Sequence, residues 1–285
     1  MTDIESYFCP TYQDARDRFL SACQNAPGVT ATSYLHPMKG IAGEDLYLDA
    51  AFRGAESAEN IIVVTSGTHG VEGYGGSGIQ VACLAGEGRL EIPEGTAIVY
   101  VHGVNPYGFS WNRRVNEDNI DLNRNFVDHS GGQYPENDLF PELYPYAVPN
   151  SWDSASISSC DQHLAELKEK YGDVAVRKSL TKGQYQYPDS VHYGGNAPAW
   201  SNRTLYTVCD QLLETARRAV LIDLHTGLGP YGYGELMTPS RPGDPDFDRL
   251  SEWLGGEVHS TTAGTSAYAG SKGSCLLYTS PSPRD

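Results

Sequence analysis

Closely spaced cysteines are missing from this sequence. Its six cysteines are far apart, and no two of them form a Cys-x-x-Cys pair. Such spacing favours free thiols in a reducing compartment over a disulfide framework or a zinc site built from cysteines. The sequence therefore predicts a cytoplasmic protein. The cysteines are Cys9, Cys23, Cys83, Cys160, Cys209 and Cys275.

Long apolar runs are missing as well. No run of about 18 apolar residues is present, so the sequence predicts no transmembrane helix. The opening residues, Met1-Thr-Asp-Ile-Glu-Ser6, are acidic where a secretory signal carries Lys or Arg ahead of an apolar segment. We expect no membrane partner.

Positive charge is scarce, with 20 Lys and Arg against 36 Asp and Glu and a net charge of −16. A nucleic-acid partner normally requires a basic surface, so that class of function is excluded. The 285 residues, of which 39% are hydrophobic, are enough to bury a sizeable core. We predict a single domain over residues 1–274.

Apolar runs bounded by glycine and proline alternate with segments of helical periodicity. Strands that are continuous apolar runs and alternate with helices are typical of α/β proteins. The sequence therefore predicts a three-layer α/β sandwich with a mixed, mostly parallel central sheet. The predicted strands are 29–35, 46–52, 61–65, 97–101, 219–224 and 232–238, and the predicted helices are 10–26, 76–85, 156–171, 200–216 and 246–254. Residues 106–152 and 181–199 are predicted to be loops.

The first candidate metal ligands follow the apolar strand Ile61–Val64. A turn after this strand delivers His69 and Glu72, which are three residues apart. Residues at this spacing lie on one side of a helical turn, so both side chains can reach a single cation. Imidazole and carboxylate are typical zinc ligands, but a lone His-x-x-Glu pair is more often found at an ordinary surface.

The third candidate ligand is His225, which follows the apolar strand 220–224. Ligand sites in open α/β sheets gather at the carboxyl ends of strands, so the fold can bring His69 and His225 together. Asp223 is in position to orient a ligand imidazole through a hydrogen bond. The alternative is that His225 is a structural histidine.

A polar segment carries a candidate anion clamp made of Arg114, Asn123 and Arg124. A guanidinium group can hold a carboxylate with two parallel hydrogen bonds. The alternative is a solvated loop in which the arginines pair with Glu117 and Asp118.

Other motifs are weaker. Gly73-x-Gly75-x-x-Gly78 matches the residue pattern of the dinucleotide-binding fingerprint, but it does not follow the predicted strand 61–65 directly, as that fingerprint requires. The sequence around Ser77 lacks the final glycine of the serine-hydrolase motif. His102 also follows a strand and is either an additional ligand or a structural residue.

Taken together, three motifs resemble the zinc carboxypeptidase superfamily over residues 30–270. They are His69-x-x-Glu72, then Arg114 ahead of Asp121-Leu-Asn-Arg-Asn-Phe, then a strand that ends at His225. The phrases Gly-Thr-His-Gly-Val-Glu-Gly-Tyr and Asp-Leu-His-Thr-Gly-Leu-Gly-Pro-Tyr-Gly are similar to the bacterial carboxypeptidase-like, deacylase-like branch of this superfamily.

The resemblance implies a hydrolase with one Zn²⁺ per chain, bound by His69, Glu72 and His225. It implies that Arg114 polarises the scissile carbonyl group. The substrate would be a small peptide, cleaved next to its carboxylate, or an N-acyl amino acid. Two further residues, Asn123 and Arg124, would hold the substrate carboxylate. Arg113 takes the place of Arg114 as the substrate-binding arginine if the register is shifted by one residue.

The sequence departs from the superfamily in its last part. The general base there is a glutamate on a late strand, and after His225 the glutamates are Glu235, Glu252 and Glu257, none of which we assign to this role. Residues 275–285 form a Ser/Pro-rich tail that we expect to be disordered or foreign, with the C-terminal part of the domain missing. A non-catalytic zinc-binding fragment is therefore a second hypothesis. Substrate preference and oligomeric state are not predicted.

Overall fold

The structure is a computed structural model that describes residues 4–87, 91–227, 230–266 and 273–274. The described residues within 1–134, 193–226 and 273–285 form one compact unit, and those within 135–192 and 227–272 form another. The tail 275–285, predicted to be disordered or foreign, lies outside the described residues. The single catalytic domain over residues 1–274 stays a prediction.

Most predicted elements are present. The strands are β1 (Val29–Lys39), β2 (Asp45–Gly54), β3 (Asn60–Ser66), β4 (Thr96–His102), β5 (Arg218–Leu224), β6 (Leu236–Thr238) and β7 (Val258–Ser260). The α-helices are α1 (Tyr12–Asn25), α2 (Gly73–Leu84), α3 (Pro106–Ser110), α4 (Phe140–Ala147), α5 (Ser154–Tyr171), α6 (Asp173–Thr181), α7 (Trp200–Leu212) and α8 (Pro245–Trp253). Within the described residues, no helix is both long and apolar enough to cross a membrane.

The first unit is built on a five-stranded sheet with the order β1-β2-β4-β3-β5. The pairs β1–β2 and β2–β4 are antiparallel, whereas β4–β3 and β3–β5 are parallel. The predicted mixed sheet is therefore confirmed, but it is not mostly parallel in the described residues: two of its four pairings are parallel, and these join β4, β3 and β5. A short turn joins β1 to β2, whereas β3 returns to β4 through α2, which is the connection that parallel strands require.

Helices cover both faces of this sheet, as the predicted three-layer sandwich requires. On one face, Phe19 of α1 and Val81 of α2 pack in a core that includes Tyr100 of β4. On the other face, Leu205 of α7 packs in a core that includes Val63 of β3. Burial of apolar side chains of this size contributes about 1.5–3 kcal/mol each. The sheet is thus held from both sides.

Strand β5 is less buried than its sequence suggests. Its apolar run predicts a buried strand, but in the described sheet it is one of the two edge strands, and Ile222 is 43% exposed. An edge strand has a neighbouring strand on one side only, so its two faces are less completely covered than those of a central strand. Apolar composition alone therefore does not determine the burial of a strand.

The beginning of α2 was predicted three residues too late. The helix begins at Gly73 instead of Gly76, although glycine is a poor helix former. A Cβ atom at Gly73 would lie 2.7 Å from the ring of Phe109, so the missing side chain is what allows this packing. Tertiary contact here outweighs local propensity.

The second unit contains α4, α5 and α6, the parallel pair β6–β7, and α8. The helices α3, α4 and α6 and the strand β7 were not predicted. The first two are short and carry prolines, α4 even in its interior at Pro145. Helices of one or two turns carry too little periodicity to be recognised, and they depend on packing for their stability.

Candidate metal centre

The two candidate histidines lie at neighbouring strand ends. Strands β3 and β5 run in parallel and in register up to Ser66 and Leu224, so their carboxyl ends are side by side. His225 follows β5 directly and His69 lies three residues past the end of β3, and the centroids of their rings are 4.7 Å apart. The strand-end argument correctly predicted this proximity of two residues from distant parts of the chain.

Glu72 joins the two imidazoles. It lies on a short 3-10 helix, Gly70–Glu72, that begins directly after His69. Its Oε1 is 3.0 Å from Nδ1 of His69, and its Oε2 is 3.0 Å from Nδ1 of His225. The backbone N–H of Thr226 donates to the same Oε2 at 2.8 Å. The carboxylate is therefore fixed between the two rings.

The three side chains fit a zinc ion. Their ligand atoms all lie within 4.8 Å of one another, and the side chains of His69 and Glu72 are only 6% and 11% exposed. Tetrahedral zinc with bonds of about 2.0–2.2 Å separates its ligand atoms by roughly 3.4 Å, close to the distances between Nδ1 and Glu72. Two imidazole nitrogens and one carboxylate are a donor set that leaves a fourth position open.

The electrostatics of the group favour positive charge between the side chains. Burial works against ionisation of Glu72, but hydrogen bonds from His225 and His69 outweigh it and lower the pKa of this carboxyl. Burial also opposes a charged His225, yet the charges and hydrogen bonds of Asp223 and Glu72 raise its pKa to about 10. Such a surrounding stabilises a cation.

Each histidine has a carboxylate on its other nitrogen. Nε2 of His69 is 3.1 Å from Oδ1 of Asp121, which is completely buried. Nε2 of His225 is 2.6 Å from Oδ2 of Asp223. Both rings therefore turn Nδ1 towards Glu72 and Nε2 towards a carboxylate, the arrangement that fixes the tautomer of a metal-binding imidazole.

Sequence reasoning anticipated the orienting role of Asp223 but did not assign one to Asp121. The signal was present, because Asp121 opens the Asp-Leu-Asn-Arg-Asn-Phe segment that carries the candidate clamp. Its separation from His69 in the chain, however, gives no local pattern from which this contact could be read.

Asp121 also binds Arg114. Both Nε and Nη2 of Arg114 donate to Oδ2 of Asp121 at 3.2 Å, and Nη1 lies 3.7 Å from Oε1 of Glu72. The side chain of Arg114 is 40% exposed, so part of the guanidinium group faces solvent beside the candidate ligands. The same carboxylate thus orients a candidate ligand and an arginine.

Backbone hydrogen bonds hold Arg113 and Arg114 against the ligand turn, which is the segment 69–72 that carries His69 and Glu72. The N–H of Gly70 donates to the carbonyl oxygen of Arg114 at 3.3 Å, and the N–H of Val71 donates to that of Arg113 at 3.1 Å. Arg114 is the arginine whose guanidinium group contacts Asp121. Arg113 is linked to the ligand turn through its carbonyl group.

The remaining members of the candidate clamp differ in exposure. Asn123 is partly exposed, and its Nδ2 lies 3.2 Å from Nε2 of His225. Arg124 is completely buried, and its Nη1 donates to the carbonyl oxygen of Asn123 at 2.8 Å. The structure therefore brings Asn123 to the metal centre and leaves the carboxylate-binding role of Arg124 a prediction.

Asn125 holds the turn that carries Asn123 and Arg124. Its Nδ2 donates to the carbonyl oxygens of Gly194 and Ala197 at 2.8 and 2.9 Å, and its Oδ1 accepts from the N–H of Ala199 at 2.9 Å. The side chain is fully buried, and its hydrogen bonds connect the turn 122–125 to the segment 194–199.

The weaker motifs are parts of the core. His102 is not in the metal group but places Nε2 2.9 Å from Oγ of Ser77, and both residues are buried. The hydroxyl group of Ser77 is buried and cannot contact a substrate, so the His102–Ser77 pair is structural. Two of the fingerprint glycines, Gly75 and Gly78, lie inside α2 rather than in a turn ahead of it.

The unassigned glutamates belong to the second unit. Oε1 of Glu235 lies 4.0 Å from Nδ1 of His259. Glu252 lies on α8, and Glu257 follows that helix.

Comparison with solved structures identifies the class of fold. The chain resembles thrombin-activatable fibrinolysis inhibitor with a TM-score of 0.52 and 13% identity, over 96% of this chain and 66% of that one. It resembles the bovine protein, in complex with tick carboxypeptidase inhibitor, with a TM-score of 0.49 and 13% identity, over 93% of this chain and 81% of that one. Murein-tripeptide amidase MpaA from Escherichia coli O157 is a third neighbour, with a TM-score of 0.38 and 15% identity over 89% and 80% of the two chains.

At these identities the likeness shows the fold, which is that of carboxypeptidase-like α/β proteins, as the motifs predicted. No significant match was found among curated proteins. Residues 8–281 match the family described as "Protein of unknown function (DUF2817)", and the chain belongs to this family.

Proposed function

We propose that the protein is a zinc-dependent hydrolase that cleaves a peptide or amide bond next to a substrate carboxylate. The observation that carries this proposal is the convergence of Nδ1 of His69, Nδ1 of His225 and the carboxylate of Glu72. Zinc bound by two imidazoles and one carboxylate is a Lewis acid that polarises a carbonyl group and lowers the pKa of water.

Arg114 is the residue proposed to act on the substrate carbonyl. Asp121 holds its guanidinium group, which is partly exposed beside Glu72 and can donate to an oxygen atom. A donor that is already oriented stabilises the negative charge that develops on this oxygen in the transition state. The amide of Asn123, next to His225, is proposed to bind the substrate carboxylate.

Arg124 is proposed as a second group that holds the substrate carboxylate. In the structure it is buried beside Asn123. Its role therefore requires either that Asn123 relays the contact with the substrate carboxylate or that a local opening exposes the guanidinium group. Arg113 is proposed to replace Arg114 if the register of the motif is shifted by one residue. Both assignments rest on the motif, and kinetics separate them from a structural role.

A second candidate function is zinc binding without turnover. Among the residues that the structure describes, three carboxylates contact the imidazoles, and each is engaged: Glu72 by both rings, Asp121 by His69 and Arg114, and Asp223 by His225. A general base for water has to be free to take a proton. This engagement favours a site that binds zinc without hydrolysing a substrate.

The test begins with zinc per chain, measured by elemental analysis on protein made without a metal-chelating tag. About one zinc per chain, lost in Glu72→Ala, is expected. Blocked dipeptides and N-acyl amino acids are then assayed, each as the free carboxylate and as the carboxamide. Hydrolysis of the dipeptides indicates a peptidase, and hydrolysis of the acyl amino acids indicates a deacylase.

Bound zinc without hydrolysis of either substrate series would favour the second candidate. A well-folded protein without zinc would contradict both. Arg124→Ala is expected to raise KM for free carboxylates more than for their carboxamides, and an equal effect on both would make Arg124 structural.

A further inference from the structure

One buried carboxylate links the two strand ends that carry the candidate histidines. Oδ1 of Asp223 accepts hydrogen bonds from the hydroxyl groups of Thr65 and Thr68, at 2.7 and 2.9 Å. Oδ2 of the same side chain lies 2.6 Å from Nε2 of His225. The side chain of Asp223 is only 3% exposed, and both threonines are fully buried.

These contacts connect different parts of the chain. Thr65 lies on β3, and Thr68 is the residue directly before His69. Asp223 lies on β5, two residues before His225. The carboxylate therefore joins the turn that carries one candidate ligand to the imidazole of the other.

The direction of each hydrogen bond follows from the groups involved. An ionised carboxylate only accepts, so the threonine hydroxyls donate to Oδ1 and the N–H of His225 donates to Oδ2. The amide of Asn123 also lies near Nε2 of His225, at 3.2 Å. A nitrogen that donates its proton to Asp223 has no lone pair left for Asn123, and the shorter, charge-assisted contact is the stronger one.

We propose that Asp223 is a positioning residue of the metal centre, which sets the orientation of His225 relative to His69 through Thr65 and Thr68. With Nε2–H held by Asp223, Nδ1 of His225, which faces Glu72, is the nitrogen that would release its proton and bind a cation. The hydroxyls in turn keep the carboxylate from rotating away. This inference rests on the proposed metal site and concerns how the chain prepares it.

The test measures zinc affinity by competition with a chromophoric chelator, and the visible absorption of the Co²⁺-loaded protein, which reports ligand geometry. Asp223→Ala is expected to weaken zinc binding by about 10- to 100-fold and to change the Co²⁺ spectrum. Asp223→Asn keeps an acceptor for His225 and is expected to lose less.

Thr68 offers a matched pair of variants. Thr68→Val removes the hydroxyl group at almost constant shape, whereas Thr68→Ser keeps it. We expect weaker zinc binding and an altered Co²⁺ spectrum for Thr68→Val, and wild-type behaviour for Thr68→Ser. This pair also decides the question if Asp223→Ala does not fold.

His225→Ala distinguishes a failure of the proposed metal site from a failure of the proposed positioning role of Asp223. If His225→Ala binds zinc as tightly as the wild type, the metal site itself is wrong. If His225→Ala loses zinc while Asp223→Ala and Thr68→Val keep the affinity and the Co²⁺ spectrum of the wild type, only the positioning role is overturned. A purely structural role would lower the melting temperature of the metal-free protein without changing the Co²⁺ spectrum of the folded fraction.

Discussion

Nε2 of His69 lies 3.1 Å from Oδ1 of Asp121, and the other oxygen of Asp121 accepts from Arg114. One buried carboxylate thus orients a candidate metal ligand and a candidate catalytic arginine. Removal of its charge should therefore affect metal binding and substrate activation together.

Asp121→Asn is expected to weaken zinc binding by about 10- to 100-fold, because an amide is a poorer partner for the imidazole N–H than a carboxylate. Titration with a competing chelator measures this loss. Asp118→Asn, an exposed aspartate of the same segment, is the matched control and should bind zinc like the wild type. Equal affinities of the two variants would contradict the role of Asp121.

Arg114→Ala is expected to lower kcat about 100-fold and to change KM less, because the guanidinium group acts on charge that develops in the transition state. Arg113→Ala is the comparison, since its carbonyl group, not its side chain, is what contacts the ligand turn. Steady-state kinetics measures both variants on a substrate identified by the hydrolysis assays proposed above. A larger loss in Arg113→Ala would mean that the motif register is shifted by one residue.

Gly70→Ala should disturb the ligand turn. A Cβ atom at this position would lie 2.0 Å from the backbone of Gly108 and 2.2 Å from that of Phe109, and neither can move like a flexible side chain. We expect a loss of about 1–3 kcal/mol in the free energy of unfolding and weaker zinc binding.

Gly131→Ala is the control for this substitution, because a Cβ atom there would have no heavy atom of the described residues within 4 Å apart from its chain neighbours. Urea unfolding of metal-free protein measures the stability of both variants. If Gly70→Ala is as stable as Gly131→Ala, the close approach of the two backbone segments is not required.

His102 should make the protein less stable in mild acid. Burial lowers its pKa from 6.5 to about 4, because a charged ring would lose its hydration beside Phe19, which stacks on it at 4.5 Å. Above pH 6.5 the residue is neutral in both the folded and the unfolded chain and has no effect. Between pH 6.5 and pH 4, His102 binds a proton in the unfolded chain but stays neutral in the folded protein.

The free energy of unfolding should therefore fall by about 1.4 kcal/mol per pH unit in this range through His102 alone. His102→Gln removes the titrating group and can still bond Ser77. Urea unfolding at pH 8 and at pH 5 should show a smaller loss for the variant than for the wild type. Identical losses would mean that His102 is protonated in the folded protein.

The proximity of His69 and Glu72 was readable from the sequence, because a spacing of three residues determines a contact within one turn. The placement of His225 followed from a general rule of parallel sheets, since an apolar strand followed by histidine predicts a side chain at the carboxyl edge. These inferences require only local periodicity and chain direction.

Other features were decided by tertiary structure alone. The contact of Asp121 with His69, the burial of Arg124 and the hydrogen bonds of Asn125 all join segments whose separation in the chain leaves no periodic signal. The early start of α2 at Gly73 contradicts local propensity and depends on packing against Phe109.

The sequence by itself therefore determined the α/β class, the order of the main elements and the identity of three candidate ligands. Only the tertiary structure decided which nitrogen of each histidine faces Glu72, which carboxylates orient the rings, and which arginine lies beside them. The physical reason is that periodicity and propensity act between near neighbours, whereas the orientation of a side chain depends on hydrogen-bond partners that the fold brings from elsewhere in the chain.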